Sequence, residues 1–415
     1  MKAPTMTIDA TNTAVKSRMP KAEFIALIAM MMATVAFSID SMLPALPDIG
    51  RELSPDDLNR AQLILTSFVI GMGLGTFFTG PLSDAFGRKP VILVGAVIYI
   101  AACVLAWAAP TLELVLAARV VMGLGVAAPR IVGIALVRDL YAGREMARIM
   151  SFAMMIFTLV PAVAPLLGTA VIAIAGWRGI FISFILFSFL VTAWLWIRLD
   201  EPLAVADRRP LKITKMKSAI AQIFRHPTVR ITIAVQALSL GMLFTSISMI
   251  QQVFDISFGR AESFPLWFAG IALVSGTASL LNAALVMRLG MRRLVSWTLG
   301  VQIIMSGVVS LLYLSGLSIE VLFYVFIVWQ VSVFFQAGMT LGNLNAMAME
   351  PMGHIAGMAA SIIGGISTVV AAALAIPVGL MFDGTPLPLT VGICVEAILA
   401  FALMMLIKRI ETRNP

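Results

Sequence analysis

Long runs of apolar residues, separated by short polar segments, make up almost the whole chain. Twelve of these runs reach the roughly 20 residues that a helix needs to cross a bilayer. Backbone polar groups in lipid must be paired within their own segment, and the runs lack the alternation of a transmembrane β-strand. The pattern therefore predicts an all-α membrane protein with twelve transmembrane helices. The predicted spans are residues 22–47, 59–82, 90–109, 112–136, 148–172, 179–199, 228–252, 264–287, 294–315, 319–346, 355–382 and 386–407.

The longest polar stretch inside the chain, residues 200–227, divides it near the middle. Six predicted spans precede this stretch and six follow it. Residues 213–225 within it have the pattern of an amphipathic helix that lies on a membrane surface. We therefore expect five parts: a disordered tail at 1–21, a six-helix bundle at 22–199, a linker at 200–227, a second six-helix bundle at 228–409 and a tail at 410–415.

Basic residues are concentrated in alternate polar segments. If the amino terminus is inside, the outer segments keep only Arg51, Arg60, Arg178 and Arg260 among the charged Lys and Arg positions. An excess of Lys and Arg marks cytoplasmic loops, so we predict a multi-pass inner-membrane protein with both termini in the cytoplasm. The net charge of +8 follows from this asymmetry and does not indicate nucleic-acid binding.

Composition excludes several other classes of protein. Of the 415 residues, 60% are hydrophobic and 12% are charged, which is more apolar surface than a soluble domain can bury. The chain has no G-x-x-x-x-G-K-(S/T) nucleotide loop. Its two histidines fall in predicted loops and its two cysteines, Cys103 and Cys394, fall inside spans, so we expect no metal site, no cofactor and no enzymatic activity.

A charged turn joins the second and third spans. Residues 80–90 read GPLSDAFGRKP, with Gly80, Asp84, Gly87, Arg88 and Lys89 as the proposed gating hinge. This segment resembles the G-x-L-(S/A)-D-x-x-G-R-(R/K) signature of the major facilitator superfamily. A weaker echo, residues 288–293, follows the eighth span. The resemblance implies two pseudo-symmetric six-helix bundles with the substrate site between them, and a hinge in which Asp84 and Arg88 stabilise the outward-facing conformation.

Four further segments resemble the twelve-span drug:proton antiporters, especially their bicyclomycin and chloramphenicol resistance branch. They are residues 37–47, 119–125, 161–168 and 342–361. The third contains the helix-5 antiporter motif, represented here by Pro161, Pro165 and Gly168, with Ala164 and Thr169 where glycines are usual. In the second, Met122 stands where the pattern has glutamine.

Ionisable residues inside membrane spans are costly and usually functional. Asp40 near the outer end of the first span and Arg119 in the fourth lie at a similar depth, counting 1.5 Å per residue. A carboxylate that faces an arginine stays ionised, and it can take a proton when the arginine moves away. The resemblance implies the same proton-coupling roles, with Asp40 as carrier and Arg119 as counter-ion. The alternative is a static structural ion pair.

Two other charges have open interpretations. Arg130 shares a helix face with Arg119, and it either extends a cationic track for anionic substrates or reaches towards the inner interface. Glu396 in the last span is either a second coupling group or an inward-facing structural contact. The side chains that we expect in a substrate cavity are Met122, Arg130, Gln236, Gln330 and Gln336.

These features predict proton-coupled efflux of small amphipathic compounds or drugs by alternating access. The alternative is export of one specific metabolite, such as a sugar or an amino acid. The predicted partners are a small-molecule substrate, protons and the lipid bilayer, the energy source is the proton gradient, and the expected working unit is a monomer.

A reporter fused after Pro415 tests the predicted orientation. A fluorescent protein that matures only in the cytoplasm should be bright there, and alkaline phosphatase, which requires the periplasm, should be inactive. A truncation fused after Gly176 should give the reverse pattern. Phosphatase activity at Pro415 would contradict the prediction.

Overall fold

The computed structural model describes residues 19–211 and 213–413, and every regular element in these ranges is helical. The predicted tail at 1–21 lies outside the described residues up to position 18, as do the last two residues of the tail at 410–415. The longer helices are α1 Lys21–Asp40, α2 Leu46–Leu53, α3 Leu63–Phe86, α4 Arg88–Ala108, α5 Leu112–Leu140, α6 Gly143–Ala175, α7 Arg178–Arg198, α8 Ile213–Arg225, α9 Pro227–Gln252, α10 Phe264–Leu289, α11 Met291–Tyr313, α12 Ile319–Met349, α13 Ala356–Leu380 and α14 Leu387–Arg413.

Twelve of these helices are long and apolar enough to cross a membrane, and α2 and α8 are not. The stretch Ile319–Leu380 is helical for 62 residues, which at 1.5 Å per residue is about three times the thickness of a bilayer core. It breaks at Met352, where φ is −105° and ψ is 17°, so it makes two crossings, α12 and α13. The predicted fold class is confirmed.

The first predicted span is interrupted. We expected one helix over 22–47, but α1 ends at Asp40 and the chain passes through the short turn Leu43–Ala45 into α2. Pro44 and Pro47 lie at this junction, and proline cannot donate the backbone hydrogen bond that would continue the helix. Asp40 is therefore the last residue of a helix. In the linker, α8 covers the predicted amphipathic segment 213–225.

The two bundles pack in the same way. In the first, α3 and α4 pack on α5, α1 packs on α6, and α4 packs on α7. In the second, the helices at equivalent positions make the same pairs: α10 and α11 pack on α12, α9 packs on α13, and α11 packs on α14. The two most extensive pairings between the bundles, α3 with α13 and α6 with α10, also correspond to each other when the equivalent helices are exchanged. The repeat is therefore structural as well as topological.

Glycines in α3 set the distances to its two neighbours. Gly71 and Gly75 face α5 in the same bundle, whereas Gly73 and Gly80 face α13 in the other bundle. A Cβ atom on Gly73 would lie 2.7 Å from Cγ2 of Val369, and one on Gly80 would lie 2.7 Å from Oγ of Ser361. Small residues are what allow helices to approach this closely in a membrane.

The two ends of the molecule differ in charge. We call the end that carries residues 87–88, 141–142 and 199–226 the basic end, and the end that carries residues 41–62, 176–177, 253–263 and 381–386 the opposite end. Twelve crossings put the two termini on the same side, and α1 begins at the basic end. The surface between the ends is apolar, with Ile174 and Met287 each 88% exposed, as expected for side chains that face lipid.

Candidate functional site

A group of amide side chains joins the two bundles at the opposite end. Nδ2 of Asn59 donates to the carbonyl oxygens of Leu380 and Phe382, at 3.3 and 2.9 Å. Nε2 of Gln252 donates to Oδ1 of Asn59 at 2.6 Å, and the amide of Gln62 also bonds Gln252. We call Asn59, Gln62 and Gln252 the opposite-end clasp. Because these bonds run between the bundles, the opposite end is closed.

Cavities lie between the bundles beside the clasp and at the basic end. The cavity beside the clasp has about 110 Å³ and is lined by Ala61, Gln62, Ser248, Gln252 and Asp255 among others. The cavity at the basic end is about five times larger, with about 550 Å³. It lies among α3, α5, α13 and the linker, and its charged lining residues are Asp84, Arg88, Arg138 and Arg209. The space between the bundles is thus concentrated at the basic end.

The turn of the predicted hinge consists of a single residue. Gly87 alone separates α3 from α4, and its φ of +105° with ψ of 159° is a conformation that essentially only glycine adopts. A Cβ there would also lie 3.0 Å from Oε2 of Glu201. Another residue at this position would cost roughly 1–3 kcal/mol in backbone strain. The glycine of the predicted hinge is therefore required by geometry.

The Glu201 carboxylate caps the amino terminus of α4. Its two oxygens accept the backbone N–H groups of Arg88 and Lys89, at 3.0 and 2.8 Å. An anion at a helix amino terminus satisfies free N–H groups and complements the helix dipole. Nζ of Lys89 donates to the carbonyl oxygens of Trp196 and Leu199, at 2.8 and 2.7 Å, near the end of α7.

Arg88 is the centre of the hinge, and its side chain is almost fully buried. Its Nη1 bonds Asp84 at 2.5 Å and Oγ of Ser83 at 2.7 Å, while its Nε bonds Asp139 of α5 at 2.7 Å. The predicted Asp84–Arg88 pair is therefore present. It is made while the opposite end is closed, and all the side-chain partners of Arg88 belong to the first bundle. The pair's stabilising effect on one conformation stays a prediction.

Sequence reasoning missed several of these residues. Asp139 and Glu201 fall just after the predicted spans 112–136 and 179–199, and only their contacts with Arg88 and Lys89 distinguish them from other acids there. Asn59 and Gln252 are 193 positions apart, so the clasp is invisible in the linear pattern. The signal in the sequence was the presence of uncharged amide side chains at the start of the second predicted span and at the end of the seventh.

Arg119 binds helix carbonyls rather than Asp40. Its Nη2 donates to the carbonyl of Ser38 at 3.0 Å, its Nε donates to the carbonyl of Ile64 at 3.1 Å, and the guanidinium stacks on the ring of Phe68 at 4.3 Å. Its Nη1 has no hydrogen-bond partner among the described residues. The expected ion pair with Asp40 is absent from this structure, because the guanidinium is held on the backbone at the end of α1 and the start of α3.

Asp40 is buried, with 4% of its surface exposed, and no cation of the described chain lies within 4.0 Å of its carboxylate. The carbonyl that Arg119 binds belongs to Ser38, two residues earlier on the same helix end. Arg119 therefore binds the end of α1, where Asp40 is the last residue, without contacting the Asp40 carboxylate.

The helix-5 motif lies against the same helix end. Gly168 of α6 touches the backbone of Ser41, directly after Asp40, and a side chain there would collide with the Ser41 carbonyl. Pro161 and Pro165 lie within α6, where each removes one backbone N–H and weakens the helix against bending. Oγ1 of Thr169 bonds the carbonyl of Pro165 at 3.0 Å. The motif thus packs a bendable helix onto the proposed proton carrier.

Arg130 points into the membrane rather than towards the basic end. Its Nη1 lies 3.6 Å from Sδ of Met72. Met72 is fourteen residues before the end of α3 and Arg130 ten residues before the end of α5, so the guanidinium reaches about 6 Å deeper than its own Cα level. This direction favours the cationic track over the interface interpretation. Arg130 also continues the face of α5 whose Ile134 and Arg138 line the large cavity.

The other expected cavity residues are buried in helix contacts. Met122 is fully buried in the apolar core of the first bundle. Oε1 of Gln330 accepts from Ser246 at 2.8 Å, and Nε2 of Gln336 donates to Thr340 at 2.9 Å. The remaining amide atoms, Gln236 Oε1, Gln330 Nε2 and Gln336 Oε1, have no partner in the described chain.

Comparison with known proteins places the chain in a family. The pattern of the Major Facilitator Superfamily matches residues 26–376. The chain belongs to this superfamily. Its fold and family are those of transporters, and the predicted family is confirmed.

Several relatives of this transporter are named for drug resistance. It is 28% identical to the bicyclomycin resistance protein homolog of Haemophilus influenzae, over 90% of this chain and 93% of the relative. It is 26% identical to the multidrug resistance protein MdtL of Shewanella oneidensis, over 90% and 92%. A chloramphenicol resistance protein of Pseudomonas aeruginosa is 36% identical over 35% of each chain.

Solved structures share the fold of this transporter. A peptide transporter POT crystallised with sulfate has a TM-score of 0.75 and 14% identity, covering 96% of this chain and 97% of that one. A D-xylose–proton symporter has a TM-score of 0.73 and 13% identity, covering 92% and 97%. At these identities the likeness shows the fold alone.

The hinge pair predicts a transport defect without a folding defect. Asp84→Asn keeps the size of the side chain and removes the charge that Arg88 bonds, so transport should fall while membrane insertion is unchanged. Asp200→Asn, an exposed acid next to Glu201, is the matched control and should transport normally. Wild-type transport rates in Asp84→Asn, at equal protein in the membrane, would argue against a gating role.

The clasp predicts that one amide controls access at the opposite end. Gln252→Leu removes its bonds to Asn59 and Gln62, and two lost hydrogen bonds of about 1 kcal/mol each should raise the open population about tenfold or more. The measurement is labelling of Ala61→Cys by a membrane-impermeant maleimide, in a background without Cys103 and Cys394.

Ala61 is buried beside the clasp, so its labelling reports opening. A cysteine at the exposed position Asp56 is the control and should react at the same rate with and without Gln252→Leu. An unchanged rate at Ala61→Cys would show that the clasp does not hold the end closed.

Proposed function

We propose that this transporter exports small amphipathic compounds, including drugs, in exchange for protons, by alternating access across the inner membrane. The names of the related resistance proteins support the substrate class. The observation that carries the coupling is Asp40, a buried carboxyl at a helix end with no cation of the described residues in contact.

The geometry supports a cycle in which Asp40 exchanges its partner. In the present conformation Arg119 is held by two backbone carbonyls and keeps Nη1 free. If α1 shifts so that Nη1 reaches the carboxyl, the ionised form is stabilised and a proton leaves; if it shifts back, the carboxyl takes a proton again. Substrate that enters the large cavity at the basic end would compete with the proton for the same helix arrangement.

Alternating access follows from the different bonds at the two ends. The clasp joins the bundles through neutral amides, which can exchange their partners for water at low net cost. The hinge bonds stay within the first bundle and its linker, so they can persist while the bundles move. We infer a single chain as the working unit, both termini in the cytoplasm, and the proton gradient as the energy source.

Export of one specific metabolite is the second candidate. The unpartnered amide atoms of Gln236, Gln330 and Gln336 would favour it, since buried amides select a polar substrate by hydrogen bonds. Proteoliposomes with an imposed pH gradient separate the candidates. Uphill movement of chloramphenicol, bicyclomycin and cationic dyes supports drug export, whereas movement of only one sugar or amino acid in the panel supports the alternative.

Asp40→Asn is the decisive variant for coupling. It keeps the shape of the side chain and removes the titrating group, so uphill efflux driven by a pH gradient should be abolished. Substrate binding should survive with a weaker pH dependence, because linkage makes the proton and substrate effects reciprocal. Asp48→Asn, an exposed acid that pairs with Arg51 on α2, is the control and should pump normally. If Asp40→Asn pumps uphill at the wild-type rate, the carrier is another group.

A further inference from the structure

Glu396 is a second buried carboxyl, and the proposed cycle does not use it. It lies nine residues after the start of α14, about 14 Å from the opposite end and so near the middle of a 30 Å hydrocarbon core. Only 5% of its surface is exposed, and neither carboxyl oxygen has a hydrogen-bond partner in the described chain. A carboxyl at this depth without a partner is energetically costly, so its presence suggests a function.

The neighbours of Glu396 offer no counter-ion. A Cβ on Gly241 of α9 would lie 3.3 Å from each carboxyl oxygen, so the carboxyl fills the space that this glycine leaves. The Thr245 hydroxyl lies beside it, close enough to act as a donor but not in the geometry of a full hydrogen bond. The helices that pack on α14 are α9, α11 and α13. Their charged residues are Arg230, Arg292 and Arg293, all in the first turns at the basic end, and α13 has none.

A polar stripe on α9 leads from this carboxyl to the opposite end. Gly241, Thr245, Ser248 and Gln252 are spaced by four, three and four residues, which places them on one face of α9. Ser248 and Gln252 line the cavity of about 110 Å³ beside the clasp, together with Asp255 just beyond the end of α9. The hydroxyl of Thr245 lies between that cavity and Glu396. The stripe therefore connects the carboxyl with the cavity at the opposite end through polar side chains of one helix.

The same helix carries the stripe and one member of the clasp. Gln252 holds α9 against Asn59 and Gln62 of the other bundle. Opening the clasp must move this end of α9 and admit water to Ser248 and Thr245. An ionised carboxylate is tolerated at this depth only when water or hydroxyl donors reach it. Closing the stripe removes those donors.

We propose that Glu396 is a second proton-binding site, reached from the opposite end, whose protonation favours the closed clasp. Because the closed state dehydrates the carboxyl, it binds the proton more tightly than the open state does, and linkage then requires the proton to favour closure. The proton comes from external water, bonds to one carboxylate oxygen, and returns to water when the clasp opens. The inference uses the alternating opening proposed above, but neither Asp40 nor a substrate.

The test is the pH dependence of Ala61→Cys labelling by an impermeant maleimide, without substrate and in an Asp40→Asn background. Each rate is divided by the rate of Asp56→Cys at the same pH, which cancels the ionisation of the thiol itself. As pH rises, Glu396 loses its proton and the open state gains, so the normalised rate should rise, up to about tenfold per pH unit for one proton. Glu396→Gln should hold the rate low and independent of pH.

Two further variants keep the inference falsifiable. Glu350→Gln, an exposed acid at the basic end, should retain the full pH dependence. Thr245→Val keeps the carboxyl and removes the neighbouring hydroxyl, so it should weaken the pH dependence even if Glu396→Gln does not reach the membrane. The inference is overturned if Glu396→Gln keeps the pH dependence of its parent, if its parent has none, or if Thr245→Val behaves as its parent does.

Infrared difference spectra of the purified protein give a separate readout. The parent should show a carboxylic-acid C=O band that falls as pH rises, and Glu396→Gln should lack it. A band from Glu396 that does not change with pH would identify a permanently neutral structural group and refute the proposal. None of these outcomes depends on transport, so failure of the proposed antiport would be seen only in the proteoliposome assay with Asp40→Asn.

Discussion

The guanidinium of Arg119 ties together three membrane helices at the place where one of them ends. It satisfies the carbonyls of Ser38 and Ile64 inside lipid, where water cannot do so. That contact fixes the end of α1, and the end of α1 carries Asp40 and receives Gly168. The position of the proposed proton carrier, and of the helix that would move it, therefore depends on one side chain and two backbone oxygens.

The two ends of the molecule use different chemistry for different tasks. At the basic end, Asp84, Asp139 and Glu201 bind a buried arginine and a helix amino terminus, and charge-assisted bonds of this kind are strong. They make the first bundle and its linker one body. At the opposite end, neutral amides hold the two bodies together. Strong bonds within a moving part and weak bonds between parts are what a reversible closure needs.

Sequence patterns predict the parts of this protein that depend on local physics. The spans follow from hydropathy, the linker helix at 213–225 from its amphipathic period, and the Asp84–Arg88 pair from the resemblance of the charged turn to a known signature. The partner of Arg119 could not be predicted in this way. Depth along a helix follows from counting residues, but the rotation and tilt that decide between the Asp40 carboxylate and a backbone carbonyl depend on tertiary packing. Glu396 shows the same limit, since only its packing against Gly241 and the stripe of α9 suggests a role.

The contact between α3 and α13 has a mechanical consequence. Its central residues are Gly73, Phe77, Gly365 and Val369, with the ring of Phe77 seated where Gly365 has no side chain. Among the described residues, these two helices share no hydrogen bond between their side chains. Two helices in a contact of this kind can rotate against each other without breaking hydrogen bonds and without exposing polar groups to lipid. The free-energy barrier to movement of the two bundles against each other therefore comes from the polar contacts at the two ends of the protein. Water can replace those contacts there, which it could not do in the middle of the membrane.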